Sequence, residues 1–148
     1  MPRPLTEEEQ QQYLAEPHIA VLSVASDGVR PPLITPVWYN YEPGGMITFY
    51  TNTQGRITRK TRLIERSGVL SILVQHDAMP YKYVTVEGTV VKVDRPPQPD
   101  QMLAIARRYL PEEHAQGYVR GELAVAKNEA VLYTIRPDRW MSLDFSQD

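Results

Sequence analysis

The chain has no cysteine, which excludes disulfides, thiolate metal sites and a cysteine nucleophile. No apolar run approaches the ~18 residues of a membrane helix, and the opening MPRPLTEEEQ lacks the apolar core of a signal peptide. A cytoplasmic location is therefore expected, with no membrane partner. Histidine occurs only at His18, His76 and His114, too scattered for a zinc motif, so no metal is expected. The G-x-S-x-G elbow, the Walker A loop and the G-x-G-x-x-G fingerprint are all missing, which removes support for hydrolase and dinucleotide-fold readings. There is no internal repeat and no low-complexity tract.

What remains is a 148-residue chain, 42% apolar and 23% charged, sized for one domain over residues 1–148. Its positive charge is concentrated. Between Arg56 and Arg66 stand Arg56, Arg59, Lys60, Arg62 and Arg66 against Glu65 alone, so this stretch carries +4 in a protein of net charge −2. The run follows a strand-like segment, Met46 to Thr51, through Thr53 and Gly55, and its own pattern is helical. A strand, a polar turn and the first turn of a helix make an anion site, because free backbone N–H groups and the helix dipole point at the ligand. On a helical wheel Arg56, Arg59 and Lys60 share one side, while Ile57 and Ile64 mark the apolar side, with Lys60 at its edge. Thr51 and Thr53 add hydroxyls suited to phosphate. A solvated basic helix face is the competing explanation of the same charges.

The other elements follow in order. Thr6 and Glu9 have capping-box spacing, predicting a helix from Thr6 to Ala15 that Pro17 stops. His18 to Ala25 and Val69 to Gln75 are apolar on both faces and read as strands covered on both sides. Leu33 to Tyr41 is a strand whose Pro36 demands an edge or a bulge, paired through the Pro43-Gly44-Gly45 turn with Met46 to Thr53. Tyr81 to Asp94 is a long strand with a bend at Gly88. Helices are expected over Pro99–Leu110 and Pro111–Lys127, and a final strand bent at Pro137 over Val131–Phe145. Six strands with inserted helices and no βαβ alternation predict a mainly β protein, an antiparallel barrel decorated with helices. Thr35 to Tyr39 lies on a strand that can border the same cleft as the anion site, but Trp38 and Tyr39, each taken singly, read first as core or interface aromatics. Nothing brings His76, Asp77 and His114 together, and Glu87 is either a surface residue or a partner for an arginine. No catalytic residue is assigned.

Three stretches, PHIAVLSVASDGVRPPLITPVWYNYE, MITFYTNTQGRITRKTRLIERSGVLSILV and YKYVTVEGTV, together resemble the flavin-binding split β-barrel family of pyridoxamine phosphate oxidase. Within it they look most like the deazaflavin-dependent reductase branch, which includes biliverdin reductases. The likeness spans His18 to Val93, and more loosely RPDRWMSLDF near the end. It implies a six-stranded split β-barrel, a homodimer with the cofactor in a groove at the subunit interface, and a reductase passing a hydride from coenzyme F420 to a conjugated small molecule such as a biliverdin-like tetrapyrrole. Arg59-Lys60-Thr61-Arg62-Leu63 stands where the family holds the cofactor phosphate. Arg59 and Lys60 are then the phosphate ligands, with Thr51, Thr53 and Arg56 around them, while Thr35, Pro36, Val37 and Trp38 resemble the segment that touches the tricyclic ring. Ile64-Glu65-Arg66-Ser67-Gly68 departs from the family's usual Arg-Arg-Asp/Asn-Pro. FMN in place of F420 is the alternative cofactor. A non-enzymatic barrel gripping single-stranded nucleic acid is the alternative from another class, disfavoured by a pI near 5.9.

Overall fold

A computed structural model describes residues 1–53, 55, 57–124 and 129–146. Helix α1 (Glu7–Ala15) opens with the expected capping box, Thr6 Oγ1 accepting from the Glu9 amide while Glu9 accepts from the Thr6 amide at 2.9 Å. There follow β1 (Ala20–Val24), β2 (Leu33–Val37), β3 (Tyr39–Asn40), β4 (Ile47–Asn52), α2 (Arg59–Ser67), β5 (Val69–His76), β6 (Lys82–Asp94), α3 (Pro99–Ala106), α4 (Glu112–Ala124) and β7 (Ala130–Asp144). All the strand pairings are antiparallel, in the order β2-β1-β5-β6-β7-β4-β3.

The sheet therefore has seven strands in an open ladder, where a six-stranded split β-barrel was expected. The difference arises in one run. Leu33 to Tyr41 does not pair as a unit with the strand after it. Its first half pairs with β1, Val37 opposite Ala20, and only Tyr39 and Asn40 pair with β4. Trp38 separates them, so the chain passes from one edge of the sheet to the other in a single residue, and the sheet must curl until its edges meet there. Pro36 sits on β2, an edge strand as expected, where its missing N–H costs no ladder bond.

Curling gives the sheet one inner face. Leu22, Tyr39, Ile47, Phe49, Ile72 and Tyr133 are fully buried there, together with Leu63 and Ile64 of α2. The strands read as covered on both sides in fact bury one side only: β5 encloses Leu70, Ile72 and Val74 and exposes Val69, and β1 buries Ala20, Leu22 and Val24. An antiparallel sheet around a single core needs only its concave face apolar. The outer face nonetheless carries a row that is apolar but for Thr85, since the register aligns Pro36, Val21, Leu73, Thr85 and Met141 across five strands. A smaller cluster of Met102, Ala106, Ala115, Val119 and Ala130 joins α3 and α4 to the start of β7. The expected bend at Gly88 is a register shift between Glu87 and Gly88 against β7.

Candidate functional site: a cationic cleft at the start of helix α2

Helix α2 begins at Arg59, with Thr58 as N-cap accepting from the Thr61 amide at 3.2 Å. It ends at Gly68, whose left-handed φ of 72° lets its N–H reach the Ile64 carbonyl at 2.9 Å. Arg59 and Lys60 are thus the first two helical residues, and position 56 precedes the helix. No acidic residue stands in the first turn. Two cations at the positive end of a helix dipole oppose it, the reverse of the usual preference for carboxylates there. An anion seated between them would offset that repulsion.

The structure supplies the space. A cleft of about 460 Å³ is lined by Arg59 and Lys60 together with Arg30, Leu33, Ile34 and Thr35 from β2 and the segment before it. It holds three cations and no carboxylate. Arg59 Nη2 donates to Ser26 Oγ, fixing the guanidinium against the β1–β2 turn, while its Nε is buried without a partner. Burial of the Lys60 amine lowers its pKa from the ordinary lysine value. Among the described residues none of the three cations forms an ion pair.

A second cleft, about 490 Å³, lies on another side of α2 and includes Thr53, Thr61, Arg62, Glu65, Arg95 and Glu129. Its charges are already matched. Arg62 pairs with Asp27 at 2.8 Å, and Arg95 meets Glu65 at 3.0 Å and Glu129 at 3.7 Å. Arg95 holds the Glu65 carboxyl below the usual range, aided by the Tyr133 hydroxyl donating to it at 2.8 Å. An anion gains more in the first cleft, where nothing has neutralised the cations.

Of the residues singled out in the sequence, Thr35, Arg59 and Lys60 come together in that cleft. Arg62 and Arg66 turn away to Asp27, at 2.8 and 3.8 Å. Thr53 belongs to the second cleft, and its amide and hydroxyl both donate to the Glu129 carbonyl at 2.9 Å. Thr51 is buried on β4 opposite Val131. Pro36 is exposed on the outer face of β2, and Val37 packs into the core. Trp38 stacks on Tyr109 with ring centres 4.9 Å apart and planes at 9°, and lies 5.8 Å from the Tyr118 ring. Arg56 falls outside the described residues. Glu87 lies 4.0 Å from Arg139. Arg30 is the cleft cation that sequence reasoning passed over, along with the apolar Pro31 to Ile34; the available signal was a lone cation directly before Pro31-Pro32 and the β2 strand.

The curled antiparallel sheet thus leaves a cationic cleft between an edge strand and a helix start. The pyridoxamine 5'-phosphate oxidase family matches residues 6–141, and the chain belongs to that family. Solved structures with the same fold include an F420 reductase, 22% identical over 88% of this chain and 94% of its own, at a TM-score of 0.65. A FAD-binding protein from Mesorhizobium loti is 18% identical over 97% of this chain and 96% of its own, at a TM-score of 0.60. No curated protein sequence matches the chain. No helix among the described residues is long and apolar enough to cross a membrane.

Proposed function

We propose that the chain is a reductase that binds coenzyme F420 as a single cofactor-binding domain, with the coenzyme phosphate in the Arg30–Arg59–Lys60 cleft. The observation that carries this reading is the unpaired positive charge of that cleft: a buried guanidinium nitrogen without a partner, a desolvated amine, and a helix start with no acid. These groups fit a phosphate ester. When bound, the coenzyme supplies a hydride to a conjugated acceptor, a biliverdin-like tetrapyrrole being one of that class. The protein's part is to anchor the phosphate through Arg59 and Lys60, to orient the ring along β2 from Thr35, and to keep water from one ring face.

The apolar outer row that ends at Pro36, next to cleft residues Ile34 and Thr35, supports a homodimer in which a second copy covers this face and completes the site. FMN is the second reading, supported by the flavin-binding members of the fold, since it presents the same phosphate beside a tricycle. Titration of the purified protein with each cofactor, followed by fluorescence, separates the two. Replacing Arg59 and Lys60 together by alanine should raise the dissociation constant roughly a hundredfold, about 3 kcal/mol for two charge-assisted contacts. Unchanged affinity in that variant sinks the phosphate assignment, and micromolar FMN binding without F420 binding sinks the choice of coenzyme.

A further inference from the structure

We propose that Lys60 is an acylation site: a small acyl phosphate, seated by its phosphate between Arg30 and Arg59, transfers its acyl group to the Lys60 amine. The chain is poor in lysine, with Lys60, Lys82, Lys92 and Lys127 against twelve arginines. Lys92 is exposed and pairs with Asp94 at 3.6 Å, and Lys82 lies 5.5 Å from the Tyr13 ring centre. Lys127 is outside the described residues. Among the described lysines, Lys60 alone lines a cleft shared with two arginines and no carboxylate. Its desolvation enlarges the neutral fraction, which is the nucleophile.

The step is balanced without any further reagent. The neutral Lys60 Nζ attacks the acyl carbon, a C–N bond forms, and the C–O bond to the phosphate oxygen breaks. The electron pair leaves on the phosphate, held by Arg30 and Arg59, and the surplus proton on nitrogen passes to solvent. Nothing is oxidised or reduced. The product is a neutral amide, so one of the three cleft cations is lost. The regulatory consequence rests on the proposed function: acylation would weaken cofactor binding at the same site, while bound cofactor would shield the amine.

The test uses acetyl phosphate on the full chain, with site occupancy at all four lysines followed by peptide mass spectrometry. Lys60 should react at least about tenfold faster than Lys82 or Lys92, since anchoring the reagent beside the amine raises its effective concentration. Excess inorganic phosphate should remove that preference. Arg59→Ala, and independently Arg30→Ala, should bring Lys60 down toward the Lys92 rate, with circular dichroism confirming the fold. Equal rates at the described lysines, or a Lys60 rate indifferent to inorganic phosphate, overturns the proposal. Selective, phosphate-protected labelling in a protein that binds neither F420 nor FMN would sink the cofactor reading and leave the acylation site standing. Cofactor binding with indiscriminate labelling would do the reverse, overturning the acylation site while the cofactor reading stands.

Discussion

Gly88→Ala tests the geometry of the β6–β7 corner. Gly88 has no left-handed backbone to explain it, so the requirement for glycine is a matter of space. A Cβ built there collides with Cγ2 of Ile135, a fully buried core residue, and comes within 2.9 Å of the Arg136 carbonyl oxygen. A rotamer change cannot move a backbone oxygen. The two strands must separate locally or β7 must shift, and either opens the packing beside Ile135. Overpacking of this kind costs about 1–3 kcal/mol, set against up to about 1 kcal/mol regained from the stiffer unfolded chain. A net loss of about 1–2 kcal/mol follows, a drop of roughly 2–8 °C in thermal midpoint for a chain of this size. Urea titration followed by tryptophan fluorescence and circular dichroism measures it, and Ile135→Ala combined with Gly88→Ala should lose about 1 kcal/mol less than the two singles summed. A Gly88→Ala protein within about 0.5 kcal/mol of the parent would show that the corner yields more readily than its close contacts imply.

Three further outcomes are expected. Tyr39 is fully buried and shares its one hydroxyl proton between the Leu14 and Glu16 carbonyls at 2.6 and 2.9 Å, so Tyr39→Phe should lose about 1–2 kcal/mol in chemical denaturation. Thr58→Ala removes the N-cap of α2; stability should fall by about 1 kcal/mol and cofactor affinity severalfold, and a loss of stability with unchanged affinity would separate the helix start from the binding site. His18 is half-buried against Tyr13, where desolvation lowers its pKa from 6.5, so the unfolded chain takes up the proton first as pH falls. Stability from this group is complete above about 6.5 and declines below it, and His18→Gln should flatten that limb of a Tm-versus-pH curve.

Much of the fold was legible because local patterns and long-range pairing agreed. The Thr6–Glu9 box, Pro36 at an edge and the Gly88 bend each depend on a few neighbouring residues. The fate of Leu33 to Tyr41 was hidden for the opposite reason. Its residue types specify extended chain throughout, and no local signal says that strands on opposite edges of the sheet claim its two halves. Trp38 illustrates this, since its stacking partners, Tyr109 and Tyr118, lie some seventy to eighty positions away. At the cleft, Arg59 and Lys60 could be singled out because the helix start itself isolates them. Thr53 could not be set apart, since the Glu129 carbonyl that takes its hydroxyl lies 76 positions away, directly before β7.

The position of β7 within the ladder bears on how the chain assembles during synthesis. Remove β7 from the strand order and two separate sheet pieces remain, β2-β1-β5-β6 and β4-β3, with no strand pairing between them and only the chain through Trp38 and through the α2 segment to connect them. Both β1–β2 and β3–β4 are hairpins with short connections, inexpensive to close and available early. The strand that joins the pieces emerges from the ribosome after the other six, pairing Thr51 with Val131 across eighty residues. Until Ala130 onward is made, the growing chain holds two unfinished sheet edges of its own, each exposed to the wrong neighbour.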